Sequence, residues 1–367
     1  MKNGMVTAMG STKKALAAFD PGLPEDDLRR LYRTLVLGRV MDDRLLRLQR
    51  QGRLGFYMTA TGEEATILGA AYALRDSDWI FPAYRETLAA MWRGLSMRRL
   101  LCQLMGNADD PLQGRQMPIH LSERSLGFVS VSSPVGTQIP QAVGAAHGAR
   151  LRGDDIVSLA FFGEGTSSEG DFHVGLNFAG VMKAPTIFVL RNNGWAISVP
   201  LSKQTACENL AERAVAYGIH GVRVDGSDLF AMIQVTREAA ERARSGEGPT
   251  LIEAVTQRVG AHSSSDDPSA YRDEDAMSAW MKKNDPVERV RKYLEVQSLW
   301  TAEWQAEIEE AITAEIVDAI RYAESIGPPT IDSMVEDVYA HLPPHLAEER
   351  DALKKALGPD HRPGAHH

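Results

Sequence analysis

A doubly wound α/β domain with a mostly parallel sheet is predicted by three features of this 367-residue sequence. Short, β-branched apolar runs alternate with longer amphipathic stretches. Glycine, proline and asparagine bound the runs. The distance from one run to the next leaves room for a helix to cross back over the sheet, as parallel neighbours require. A hydrophobic fraction of 44% and a charged fraction of 24% belong to a globular chain with a real core. The net charge of −9 argues against nucleic acid as a general partner. No apolar run approaches a membrane span and the first residues lack a signal-peptide core, so no membrane association is expected. Cys102 and Cys207 stand far apart, outside any metal-spaced pair, and read as reduced residues of a cytoplasmic protein.

In chain order, residues 1–24 are polar and alanine-rich and read as an N-terminal arm. Glu25 to Gln51 is a helix, with Leu28, Leu31, Leu35, Leu45 and Leu48 on one face and Arg29, Arg30, Arg33 and Arg39 on a solvated one. Gly52 ends it. Thr61 to about Leu74 starts as a helix should, with acids in its first turn. Trp79 to Phe81 is a strand, Gly94 to Met105 a helix, and Gly127 to Ser132 alternates like a strand. A small-residue helix follows from Thr137 to Leu151. Strands are expected at Ile156–Phe162, Thr186–Leu190, Val222–Val224 and Thr250–Val255. Helices between them are expected over Phe172–Met182, Cys207–Tyr217 and Asp228–Arg244. Gly260 to Asp275 is a polar loop without apolar periodicity, and loops of this length are usually functional or mobile. Helical segments follow at Val287–Leu294 and Thr301–Ile326. Residues 25–343 thus form one domain, and 344–367 a C-terminal helix with a disordered tail.

The chemistry concentrates in Asp154 to Pro200. Strand, helix and strand form a βαβ unit there, and ligands of open α/β sheets bind beyond the carboxyl ends of the strands. Glu164 lies in the Gly163-Glu164-Gly165 turn after one strand, and Asn193 just past the next. Two hard oxygen donors beside a glycine turn suit a magnesium ion carrying a diphosphate.

Gly163-Glu164-Gly165, a helix and then Asn192-Asn193 resemble the thiamine diphosphate motif. With SSPVGTQIPQAVGAA, GRQMPIH, AYRE and AHSSSDDPSAYR, the chain from Glu25 to Pro343 resembles the alpha subunits of branched-chain 2-oxo acid dehydrogenase complexes. That resemblance implies a thiamine diphosphate-binding fold and oxidative decarboxylation of a branched-chain 2-oxo acid, with acyl transfer to a lipoyl group. It implies an alpha2beta2 heterotetramer with a beta subunit, which supplies the glutamate that activates the cofactor, and a lipoyl domain as further partner. Pyruvate-specific alpha subunits share the cofactor words, and a non-catalytic nucleotide-binding protein of the same fold is the rival from another class.

The resemblance also assigns residues. Glu164, Asn193 and the backbone carbonyl of Trp195 would hold magnesium. Tyr84, Arg85, Ser133, Val135, Gly163, Gly165, Thr166, Arg191, Ala196 and His262 would complete the cofactor shell. Ser132, Pro134, Thr137 and Gln138 correspond to a potassium-binding loop, or form a proline-broken strand capped by hydroxyls. His262 and His120 are the titratable candidates, since histidine changes charge near neutral pH and can give a proton to a 2-oxo acid. Ser263 stands where mitochondrial relatives are phosphorylated; a dianion there would repel Asp266 and Asp267. Phe56 and Tyr57 either wall an apolar substrate pocket or belong to the core.

Overall fold

The computed structural model describes residues 4–358, and the tail expected after Gly358 lies outside them. Five strands form one sheet: β1 (Trp79–Phe81), β2 (Ser158–Gly163), β3 (Thr186–Asn192), β4 (His220–Asp225) and β5 (Thr250–Val255). Their order is β1-β2-β3-β5-β4, and every neighbouring pair is parallel. Period-two alternation divides the apolar side chains between the two faces. Leu159, Phe161, Ile187, Val189 and Ile252 join one core, packed with the helices Glu25–Arg50, Glu64–Tyr72 and Leu229–Arg244. Ala160, Phe162, Phe188, Leu190 and Leu251 join the other, packed with Gln138–Arg152 and Gly170–Met182. Helices on both faces make the sheet doubly wound, as predicted.

The register sets where the chemistry can go. Gly163 of β2 stands opposite Arg191 of β3, and Asn192 of β3 opposite Val255 of β5. Three central strands therefore end at nearly one level. The residues that follow them, Glu164, Asn193 and Thr256, gather on a single edge, joined by the segment after β1 that carries Tyr84 and Arg85.

Several expectations change. The N-terminal arm expected over residues 1–24 is docked on the domain over its described part, residues 4–24: Val6 bridges Val224 in parallel, extending the sheet past β4, and Asp228 accepts the backbone N–H groups of Ala8 and Met9. Lys13–Ala18 is a helix that buries Leu16. Gly127–Ser132 is not a strand; Phe128 makes isolated bridges to Ile80 and Glu123. The Cys207–Tyr217 stretch is a 3-10 helix over Leu210–Tyr217, preceded by the short helix Leu201–Gln204. The helices Thr87–Trp92 and Glu274–Asn284 were not among the expected elements. The second starts inside the expected polar loop, where the Asp273 carboxylate accepts the N–H groups of Asp275 and Ala276. Arg39 is no solvated-face residue, because its guanidinium bridges buried Glu64 and Asp285. Among the described residues no helix is long and apolar enough to cross a membrane. Cys102 and Cys207 are both free thiols.

Candidate active site

Glu164 follows β2 directly and is 2% exposed. Its carboxylate accepts the backbone N–H of Asn193 at 3.3 Å and the Gln204 amide at 3.4 Å, and no arginine, lysine or histidine among the described residues pairs with it. Burial raises its pKa, and the nearby Glu63 charge adds to the same direction. An acidic oxygen held in the interior by two long, neutral contacts is short of a positive charge.

Asn193 sits between two acids. Its Nδ2 donates to Glu63 Oε1 at 3.1 Å, while its Oδ1 accepts the backbone N–H of Trp195 at 3.1 Å. The Trp195 backbone starts a small antiparallel hairpin, Trp195–Ala196 with Val199–Pro200. Gly165 is what lets this hairpin approach the turn: a Cβ there would lie 2.7 Å from the Ala196 Cβ. Glu164 meets Asn193 through the Asn193 backbone N–H, while the Trp195 carbonyl, the third expected oxygen donor, accepts from Arg258 Nη1 at 3.4 Å. Among the described residues no cluster of three or more His, Cys, Asp and Glu is placed to hold a metal. A set with one carboxylate, one amide and one carbonyl is of a different make-up.

The arginines lie around this group. Arg191 is buried, with Nη1 2.6 Å from Glu63 and Nη2 2.8 Å from Glu86. Its Nε has no partner among the described residues, and neither has the Nε of buried Arg258. Arg85 donates to the carbonyls of Thr59 and His262, and its Nε stands 3.7 Å from Glu63. Tyr84 meets the His262 ring edge-on, with centroids 6.0 Å apart. These two buried donors, with Arg85 beside them, leave cationic nitrogens free for an anion.

His262 differs from the sequence-based expectation in charge. Burial, with Arg85 and Arg258 close by, pushes its pKa down to about 4. It is therefore neutral near pH 7 and does not switch there. Arginine can only donate, so Nδ1 of His262, 3.5 Å from Arg85 Nη2, is the accepting nitrogen and the ring proton sits on Nε2. The surrounding loop is tied down. The His262 N–H donates to Asp266, Tyr271 also donates to Asp266, and Arg272 donates to the carbonyls of Arg258, Val259 and Gly260. Because the folded pKa lies below the ordinary histidine value, the unfolded chain binds the extra proton more readily. Stability is then expected to fall as pH drops from about 6.5 towards 4. Thermal melts of wild type and His262→Gln across that range test this; identical slopes would remove His262 as the cause.

The turn at 132–138 rests against the same region. Gln138 donates to the Phe161 carbonyl of β2 at 2.9 Å, and a Cβ on Gly136 would lie 3.5 Å from Thr166. Thr137 donates to the Pro134 carbonyl at 3.2 Å, and Val135 is exposed. His120 is buried, which lowers its pKa, and the Ser133 hydroxyl lies 3.4 Å from each of its ring nitrogens. Tyr57 does not fit an apolar substrate wall. It is buried, with its hydroxyl donating to Asp42 at 2.9 Å, and Phe56 packs half-buried against the same core. The adjoining cavity, about 550 Å³, is lined by charges that include Arg39, Asp42, Asp266 and Arg272.

Glu63, Glu86, Arg258 and Gln204 are not marked by the sequence. Glu63 and Glu64 open a helix, and the helix dipole alone accounts for acids in a first turn. The remaining signal was Arg191 on an otherwise apolar strand, since a buried guanidinium requires buried carboxylates.

Comparison with known proteins identifies the family. The chain is 42% identical to the Mus musculus 2-oxoisovalerate dehydrogenase subunit alpha, mitochondrial, over 338 residues, 92% of this chain and 76% of that one. It is 41% identical to the Caenorhabditis elegans protein of the same name over 335 residues, 91% and 78% of the two chains. With the Arabidopsis thaliana subunit alpha 2 the identity is 40% over 328 residues, 89% and 70%. These relatives are named mitochondrial, which overturns the cytoplasmic expectation. Free thiols mark reducing surroundings and do not distinguish one such compartment from another. The family model described as "Dehydrogenase E1 component" matches residues 32–332, from the first long helix past the ordered loop. The sheet edge with its glycine turn, its asparagine and its histidine loop therefore lies inside a match that spans most of the sequence, and the chain belongs to the dehydrogenase E1 component family, which is thiamine diphosphate-dependent.

Proposed function

We propose that this chain is the alpha subunit of the decarboxylating component of a branched-chain 2-oxo acid dehydrogenase complex, with Glu164, Asn193 and the Trp195 carbonyl as the protein ligands of its magnesium. The observation that carries the reading is Glu164, a buried carboxylate at the carboxyl edge of a parallel sheet, without a cationic partner among the described residues. A divalent cation there would relieve the desolvated charge, and Arg85 with the unpartnered Nε of Arg191 would hold the diphosphate. Bound thiamine diphosphate supplies the electron sink for loss of carbon dioxide. Tyr84, Ser133, Val135, Gly163, Gly165, Thr166 and Ala196 then shape the shell around it. His262, neutral with its proton on Nε2, offers a hydrogen bond to a developing oxyanion. His120, lowered by burial beside Ser133, serves the same substrate from the other turn. At Ser132, Pro134, Thr137 and Gln138, the expected potassium loop, the Thr137 hydroxyl donates to the Pro134 carbonyl at 3.2 Å, as the hydroxyl-capped alternative requires.

The catalytic unit on this reading is an alpha2beta2 heterotetramer that passes its acyl group to a lipoyl domain. The branched-chain assignment rests on the names of the relatives, all 2-oxoisovalerate dehydrogenase alpha subunits. Turnover of a panel of 2-oxo acids by the chain co-purified with its beta subunit tests it. The expected order places 3-methyl-2-oxobutanoate about tenfold or more above pyruvate in kcat/KM, the discrimination that one or two methylenes give. The chain alone should turn over neither. A reversed preference would assign the pyruvate reaction, and absence of thiamine diphosphate binding by the pair would leave the non-catalytic alternative.

A further inference from the structure

An asparagine used as a metal ligand carries a hazard that a carboxylate lacks. Rotating its amide by half a turn swaps the coordinating oxygen for an NH2 group, which repels the cation. Something must choose the orientation. In this chain Glu63 sits where it can make that choice. It is 0% exposed, and its backbone is fixed at the start of the Glu64–Tyr72 helix, its N–H donating to the Ala60 carbonyl at 2.9 Å.

Every neighbour of the Glu63 carboxylate is a donor. Arg191 Nη1 reaches one oxygen at 2.6 Å, Asn193 Nδ2 reaches the other at 3.1 Å, and Arg85 Nε stands 3.7 Å away. A carboxylate can only accept, so it admits the NH2 end of Asn193 and refuses the oxygen end. The Trp195 N–H, 3.1 Å from Oδ1, enforces the same choice from the opposite side. Arg191 in turn pins Glu63, and Glu86 pins Arg191.

We propose that Glu63 is a positioning residue that fixes the Asn193 amide with its oxygen towards the metal. The inference rests on the magnesium reading of the site and adds to it the residue that makes the asparagine a dependable ligand. It also predicts a specific failure. In Glu63→Gln the amide oxygen is claimed by Arg191, which leaves the new NH2 facing the NH2 of Asn193. Two donors then confront each other, and the Asn193 amide relieves the conflict by turning its NH2 towards the cation.

The test uses the full chain co-purified with its beta subunit, titrated with magnesium chloride and thiamine diphosphate in a calorimeter. Glu63→Gln should raise the magnesium concentration for half-maximal cofactor binding about 10- to 100-fold, the usual cost of losing a group that orients a ligand. Asn193→Asp alone should also bind poorly, because it sets two carboxylates face to face. Combined, Glu63→Gln and Asn193→Asp exchange donor and acceptor and conserve the charge. The double variant should therefore return to within about threefold of wild type, well outside additivity.

A merely structural role for Glu63 would give a double variant at least as impaired as either single one, and that outcome overturns the proposal. So does an unchanged magnesium requirement in Glu63→Gln. If that single variant does not fold, the double variant decides alone: near-wild-type magnesium dependence supports the proposal, and a tenfold or greater loss overturns it. Asn193→Ala separates the two levels of argument. An unchanged magnesium requirement there would sink the metal site itself, whatever Glu63 does.

Discussion

Glu164→Gln is expected to abolish magnesium-dependent thiamine diphosphate binding while making the cofactor-free protein more stable at neutral pH. The substitution keeps shape and volume and removes only the charge. Loss of a charged ligand from a divalent site should weaken magnesium binding by at least about 100-fold, the upper end of what loss of a merely orienting group costs. The stability change runs the other way because Glu164 is buried without a cation. Its folded pKa lies above the unfolded value, so the folded state holds that proton more tightly. Its favourable contribution is present at low pH and is lost as pH rises from the unfolded value through the folded one. At neutral pH, above the unfolded value, the buried carboxyl is a net cost to folding that the glutamine lacks. Melts near pH 5 and pH 7.5, without magnesium, should show the variant gaining on wild type as pH rises. Wild-type cofactor affinity in the variant would refute the metal assignment.

His262→Ala should divide the reaction in two. On the proposed reading, the group that matters is an Nε2–H whose orientation is set by Arg85 and by the Asp266 contact to the backbone. A neutral donor of this kind stabilises an oxyanion without having to ionise, and a low pKa protects it from protonation down to about 4. Acyl transfer to the lipoyl domain is expected to fall about 100-fold or more, the scale of one lost oxyanion donor. Carbon dioxide release, followed with an artificial electron acceptor, should fall less than about tenfold, since it does not need that donor to the same degree. Equal losses in both assays would place His262 earlier, at the keto group. No loss in either would leave it as a residue that shapes the loop.

The sheet was legible because buried parallel strands are written as short apolar runs, and β1 and β5 start and stop where those runs do. Glu164 and Asn193 were legible because each is a polar side chain next to a glycine at the carboxyl end of an apolar strand, the edge where open α/β sheets take their ligands. What stayed hidden was polar structure held by polar contacts. The helix Glu274–Asn284 buries only Met277, and the Asp273 cap defines its start. The histidine loop looked shapeless for the same reason, yet Arg272 and Asp266 give it a fixed path. The 4–24 segment joins the sheet through a backbone bridge at Val6, which any residue could make. Arg39 looked solvated because its partners, Glu64 and Asp285, are 25 and 246 residues away.

The chain of charges through Arg191 also limits how sequences like this one can drift. Glu63, Arg191 and Glu86 lie in the interior on three separate segments and are joined by ion pairs. Changing any one alone strands a buried charge, which costs about 3–5 kcal/mol, a large part of the 5–15 kcal/mol that holds a typical domain together. Single-step replacement is therefore closed to selection at these positions. Across descendants of a common ancestor the three should persist together or be exchanged together, with a change at one predicting changes at the other two.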